Sequence, residues 1–280
     1  MHNLDGLGYR GATVIVTGAF SGMGEATARI LGELGARVHV VDIKQPSIPH
    51  ERFFQTDLSQ PQQVRSTAAA LREIGPVHYY FSCAGVPPVL GALRCMLINY
   101  VGARQLIEEV LVHIVDGAGI GIISSDAALG WQRNMQLNLE FLKIDDPVEA
   151  KAFCEKRADV LRDGYTSSKE MLFVWAQHRS VSLGKTRGIR INCIAPGPTR
   201  TPFMTEMSQR LSADFFDKFP YPLLGRPTTP DEQAWPLILL TSKLNHAVTG
   251  GVLYTDQGFA AGMYTGAIDS SVLTPGLKGN

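Results

Sequence analysis

Three glycines, Gly18, Gly22 and Gly24, stand between a β-branched run and an amphipathic helical stretch near the start of the chain. Ala12–Thr17 (ATVIVT) reads as a short buried strand. Gly22–Leu34 carries apolar residues at Ala26, Ile30 and Leu34, a helical stripe that Gly35 ends. In that setting Gly18 permits a tight turn, Gly22 lets backbone approach a pyrophosphate, and Gly24 lets the helix pack closely on the strand. A helix N-terminus at this point offers unpaired N–H groups and a partial positive charge to an anion. The same loop read without a ligand is an ordinary turn.

The rest of the chain alternates in the same way. Arg37–Val41, Phe53–Phe54, Val77–Ser82, Gly119–Ser125, Ile189–Ile194 and Val252–Thr255 read as strands. Pro61–Ile74 (opened by Ser59), Leu90–Val115, Tyr165–Leu183 and Pro230–Leu240 read as helices between them. Strands separated by helices require right-handed crossovers, so the expected fold is α/β: a doubly wound parallel sheet, the Rossmann fold, in one domain over 1–280. A chain of 280 residues buries enough surface to need no staples. The cysteines Cys83, Cys95, Cys154 and Cys193 have no paired or metal-ligand spacing, so neither a disulfide framework nor a metal site is expected.

Composition narrows the partners. Lys+Arg and Asp+Glu both number 26, a balance that argues against nucleic acid or an anionic membrane. Apolar residues at 45% exclude a disordered chain, and no apolar run is long enough for a membrane span. The first residues carry no basic and apolar leader pattern, so a cytoplasmic protein is expected.

Tyr165-Thr166-Ser167-Ser168-Lys169 is the sharpest chemical signal. Positions i and i+4 share a helix face, so a phenol and an ammonium can both reach one cleft. A nearby cation favours the phenolate, and Tyr165 could then exchange a proton with an alcohol or alkoxide. Alone, this spacing is common on solvated helices. Here it follows a strand ending in Ser124-Ser125 and precedes Asn192-Cys193-Ile194-Ala195-Pro196-Gly197. With the Gly-x-x-x-Gly-x-Gly loop, these motifs make the chain resemble the short-chain dehydrogenase/reductase family, from about Gly11 to Gly258.

Asp42 ends the second strand, 18 residues after Gly24, where a carboxylate can accept both ribose hydroxyls and repel a 2′-phosphate. Ser21, before Gly22, supplies no basic side chain for that phosphate. The expected cofactor is therefore NAD, with Met23 and Ile43 as further contacts; Lys44 keeps NADP as the alternative. The resemblance implies that Asp57 and Leu58 hold the adenine, and that Ala84 and Gly85 lie against the adenosine ribose. Ser82 and Cys83 stand where the family has asparagines. It also implies that Pro196, Gly197, Thr199 and Thr201 hold the nicotinamide carboxamide. Ser125 matches the catalytic serine, with Ser124 as fallback, and Asn99 the helix asparagine that holds a relay water beside Lys169. The implied reaction is hydride transfer between a secondary alcohol and nicotinamide, giving a ketone. A catalytically silent dinucleotide-binding regulator is the alternative, which the intact Tyr165, Lys169, Ser125 and Asn99 oppose.

Ser125 and Tyr165 are 40 positions apart, and the segment at about 129–163 has helical rhythm, with Asp145-Asp146-Pro147 as a helix start. This resembles the bacterial 3α-hydroxysteroid dehydrogenase/carbonyl reductase branch, which carries a helical insertion there and acts on steroids and other ketones. The insertion either lids the pocket or covers a face used in oligomer packing; a homodimer or homotetramer is the family's pattern. The substrate loop, about 198–226, holds Phe203, Met204, Met207, Phe215, Phe216, Phe219 and Tyr221. These residues either line a roomy apolar pocket, with Trp131, Pro87 and Met135 as lesser candidates, or bury the core face of their own helices. The role of the tail after Ala260 is left open.

Overall fold

The computed structural model describes residues 4–159, 161–209, 211 and 214–269. Seven parallel strands form one sheet in the order β3-β2-β1-β4-β5-β6-β7. In chain order these are β1 (Thr13–Thr17), β2 (Arg37–Asp42), β3 (Arg52–Gln55), β4 (Val77–Ser82), β5 (Ile114–Ile123), β6 (Arg190–Pro196) and β7 (Val252–Thr255). The order reverses between β1 and β4, which leaves a crevice at the carboxyl ends of those strands.

Alternation along each strand divides the core into two layers. Val14 and Val16 of β1, with Val38, Val40 and Phe81, face α1 (Gly22–Glu33) and bury Ala26, Ile30 and Leu31. Ile15, with Tyr80, Ile120 and Ile122, faces the opposite layer, which holds α2 (Pro61–Leu71) and its Val64, Ala68 and Leu71. Both faces of the sheet are covered, which explains the near-continuous apolar runs in the strands. Among the described residues no helix is long and apolar enough to cross a membrane.

The helical stretch expected at Leu90–Val115 is divided. α3 (Ala92–Met96) passes through a wider π-helical stretch at Leu97–Gly102 into α4 (Ala103–Val110). Ile114 and Val115 are not helical: they open β5, where Ile114 pairs with Val77 of β4. Strand pairing there overrides local helical rhythm. β5 also ends at Ile123, leaving Ser124 and Ser125 on the exit turn. Ser59 does not cap α2, since its hydroxyl and backbone N–H both go to Asp57; Gln60 holds the cap position.

The 129–163 segment contains α5 (Met135–Leu142) and α6 (Pro147–Lys156), and Asp146 caps α6 through Val148 and Glu149 as its Asp-Pro start foretold. Phe141 is fully buried between Phe153, 4.9 Å away, and Tyr100, 5.3 Å away. The segment therefore docks onto the π-helical stretch. A second anchor is Glu170, 1% exposed, which accepts hydrogen bonds from Asn134 and Arg162. Beyond it run α7 (Tyr165–Arg187), α8 (Pro202–Ser208), α9 (Phe215–Lys218), α10 (Pro230–Thr241) and α11 (Phe259–Thr265). The last eleven residues of the tail lie outside the described residues.

Candidate active site

A cleft of about 340 Å³ opens at the crevice between β1 and β4. Gly18, Ser21, Gly22, Met23 and Gly24 form its floor. Gly18 has φ +71°, and a Cβ there would stand 2.5 Å from the Ala84 backbone. The loop can therefore pass this close to β4 only as glycine. Thr17 fastens the same contact, its hydroxyl accepting from the N–H groups of Cys83 and Ala84. The result is a backbone cradle at a helix N-terminus, shaped for a pyrophosphate.

Asp42 lies at one end of the cleft. One carboxylate oxygen accepts the Phe20 N–H at 2.9 Å and the other the Lys44 N–H at 3.1 Å. Two backbone donors thus hold it as a fixed acceptor. The Lys44 ammonium rests over the Phe20 ring, 5.2 Å from its centroid. Ile43, Asp57, Leu58, Ala84 and Gly85 line the cleft as well. The Asp57 carboxylate receives Ser59 on one oxygen and faces Arg94 at 3.7 Å on the other. Arg94, Phe20, Val86, Leu90 and Ile98 complete this wall and were not singled out from the sequence, because nothing local marks a side chain that only tertiary folding brings there.

At the other end lie Tyr165 and Lys169, the first and fifth residues of α7. Gly164 precedes them at φ +71°, and a Cβ there would come within 2.1 Å of the Ala92 carbonyl. This glycine seats the helix start against α3. Lys169 is 4% exposed; its Nζ donates to the Ile123 carbonyl at 2.9 Å and sits 5.7 Å from the Tyr165 ring centroid. Burial draws its pKa down to about 8. Burial also raises the Tyr165 pKa, outweighing the hydrogen bond that the Ser125 hydroxyl could give a phenolate in place of Asp126. In this structure burial therefore favours the protonated phenol, the form that can give a proton.

Ser125 lies just behind the cleft wall. Its Oγ accepts the Ala127 N–H at 3.1 Å and donates to Asp126 Oδ1 at 3.2 Å. Ser124 is committed elsewhere, donating to the Lys169 carbonyl at 2.8 Å. Asn99 is fully buried in the π-helical stretch, where its amide bonds the Val86 N–H and carbonyl. Gly85 brings it to Lys169: a Cβ on Gly85 would stand 3.5 Å from both the Asn99 Oδ1 and the Lys169 Nζ.

The loop after β6 divides. Thr201 lines the cleft and caps α8 through the Met204 N–H. Pro196, Gly197 and Thr199 stand behind it, with Thr199 bonded to Thr228 at 3.0 Å and Gly197 packed on Asp256. Of the apolar candidates, Phe203 lines the cleft, its ring 5.5 Å from that of Tyr165. Met204 lines a neighbouring open groove with Phe216, and Met207 lines neither. Phe219 is buried against Phe259, 4.7 Å away, which is the core-forming alternative. Trp131 packs on the core and bonds Tyr254, and no described residue of 129–163 lines the cleft.

Known proteins resemble this chain over most of its length. Residues 12–136 match the family described as short chain dehydrogenase, and residues 153–260 the one described as Enoyl-(Acyl carrier protein) reductase. The chain is 30% identical over 253 residues to coniferyl-alcohol dehydrogenase of Pseudomonas sp. (strain HR199 / DSM 7063), covering 89% of this chain and 96% of that one. It is 27% identical over 260 residues to 3-alpha-hydroxysteroid dehydrogenase/carbonyl reductase of Comamonas testosteroni, covering 89% and 97%. The crystal structure of the 3-alpha-hydroxysteroid dehydrogenase from Pseudomonas sp. B-0831 complexed with NADH superposes with TM-score 0.77 at 26% identity, over 91% of this chain and 99% of that one.

Proposed function

From the premise that this chain belongs to the short-chain dehydrogenase/reductase family of nicotinamide-dependent oxidoreductases, we propose that it interconverts a secondary alcohol and a ketone with NAD(H). The observation that carries the reading is the placement of Tyr165 and Lys169 at one end of a single cleft with a fixed Asp42 carboxylate at the other. The cofactor's contribution, when bound, is to give or take a hydride at the nicotinamide.

The chain's own residues supply the rest. Gly18, Ser21, Gly22, Met23 and Gly24 cradle the pyrophosphate with backbone N–H groups. Asp42, held by two backbone donors, accepts the ribose hydroxyls and repels a 2′-phosphate, with Ile43 beside it. Asp57 and Leu58 bound the adenine, and Ala84 and Gly85 lie against the ribose. Thr201 reaches the nicotinamide end directly; Pro196, Gly197 and Thr199 hold its loop in place. The NADH named in the superposed relative favours NAD(H) over NADP(H) here.

In the reducing direction Tyr165 gives its proton to the carbonyl oxygen. Ser125 offers that oxygen a hydrogen bond, which strengthens as negative charge develops. Lys169, with its pKa drawn to about 8, exchanges protons near neutral pH and recharges Tyr165. Asn99, beside it across Gly85, holds the water that links this ammonium to solvent. Oxidation runs the same steps backwards.

Phe203 over Tyr165 makes the substrate wall apolar, which suits a hydrophobic, aromatic or steroid-like ketone. Met204 and Met207 extend this surface outward on α8. Trp131, half-buried against the core, is the further candidate for this wall. A homodimer or homotetramer is the assembly we propose. The test is NADH and NADPH oxidation with aromatic and cyclic ketones. Faster turnover with NADH supports the reading; tight NADH binding with no turnover on any ketone would favour a silent regulator.

A further inference from the structure

Ser125 is followed by an acid that the reaction outlined above does not use. Asp126 Oδ1 accepts the Ser125 hydroxyl at 3.2 Å. A serine hydroxyl has one hydrogen to give, and a carboxylate only accepts. In this geometry the hydrogen that should polarise a substrate carbonyl points at Asp126 instead.

We propose that Asp126 is a positioning residue: its carboxyl competes with the substrate oxygen for the single hydroxyl hydrogen of Ser125, so that Ser125 is free to polarise a carbonyl only while Asp126 carries a proton. A protonated Asp126 can itself donate to the Ser125 Oγ, which turns the serine hydrogen toward the cleft. The inference rests on the oxidoreductase reading and adds a control on its direction. Carbonyl reduction needs Ser125 as a donor, whereas an alcohol O–H first needs it as an acceptor.

The surroundings fit such a switch. Gly197 is packed between two acids: a Cβ on it would lie 3.5 Å from Asp126 Oδ2 and 3.1 Å from the Asp256 Cα. Asp256 follows β7, and its carboxylate accepts the N–H groups of Gly258 and Ala260. Among the described residues, the titratable groups set against Asp126 are Asp256 from that turn and Tyr165 from α7; the loop after β6 contributes the uncharged Gly197. No cation faces it. Desolvation first, and the Asp256 charge second, push Asp126 up to about 7. The carboxyl therefore changes state in the neutral range.

The experiment is single-turnover reduction of acetophenone and cyclohexanone by enzyme-bound NADH between pH 6 and 8, in wild type and Asp126→Asn. The wild-type rate should fall about tenfold across that range as Asp126 ionises, while Asp126→Asn falls less than about twofold. In parallel, infrared difference titration of the protein without NADH should show a carboxyl ionising in this range that Asp126→Asn lacks. Asp256→Asn provides a second arm if Asp126→Asn fails to fold: removing the neighbouring charge should move the fall in rate to lower pH. Parallel pH profiles in wild type and Asp126→Asn, or an unmoved profile in Asp256→Asn, overturn the inference while leaving the oxidoreductase reading intact. A wild-type protein that binds NADH and reduces neither ketone overturns both.

Discussion

The Lys169 ammonium lies 5.7 Å from the centre of the Tyr165 ring, and it donates a hydrogen bond to a strand-end carbonyl, that of Ile123. A lysine buried without a carboxylate partner is costly, and a site that keeps one does so for proton chemistry. The phenol above it is pushed the other way, toward keeping its proton. Burial thus drives the two groups apart in proton affinity, the phenol upward and the ammonium downward.

Tyr165→Phe keeps the ring and its contact with Phe203 but removes the acid. Turnover should fall by about 10²- to 10⁴-fold, with NADH affinity within a few-fold of wild type. Steady-state kinetics and fluorescence titration with NADH check both halves. Near-normal turnover would take Tyr165 out of the reaction.

Asp42→Ala removes the fixed acceptor at the far end of the cleft and frees Lys44. The ratio of kcat/KM for NADH over NADPH should drop by about tenfold or more, the worth of a charged hydrogen bond. An unchanged ratio would show that cofactor choice lies elsewhere.

Lys169→Met tests the cost of the buried charge. The folded pKa of about 8 lies below the ordinary lysine value of 10.5, so from pH 8 to 10.5 the unfolded chain binds more protons than the folded one. Stability from this group therefore rises with pH across that window. Urea melts should show the rise in wild type and its absence in Lys169→Met, whose turnover should also collapse. Matching pH slopes in the two proteins would mean that Lys169 is not buried as a charge.

Gly164→Ala places a methyl group 2.1 Å from the Ala92 carbonyl at a φ that L-residues resist. The strain should cost about 1–3 kcal/mol and shift the start of α7, lowering both Tm and kcat. A variant with wild-type Tm and kcat would show that the helix start tolerates a side chain.

Much of this protein was legible as a string. The glycine spacing after Ala12–Thr17 foretold the turn between β1 and α1, and the tyrosine–lysine spacing put both groups on one helix face, because each signal is local in the chain. The Asp146-Pro147 start of α6 was readable for the same reason, since a cap and its helix are neighbours.

Local rhythm failed where pairing across the sheet decided. Ile114 and Val115 continue a helical pattern, yet Val77 recruits Ile114 into β5. Helical rhythm showed that residues 129–163 could form helices, but Phe141 between Tyr100 and Phe153 is what docks them on the π-helical stretch. The Ser125 environment was likewise beyond reach: Asp256 stands 130 positions from Asp126, and only closure of the sheet brings the two to Gly197. Spacing along a chain fixes which side chains share a face. Burial and long-range charge, which set the proton affinities of Tyr165, Lys169 and Asp126, exist only once distant segments have packed.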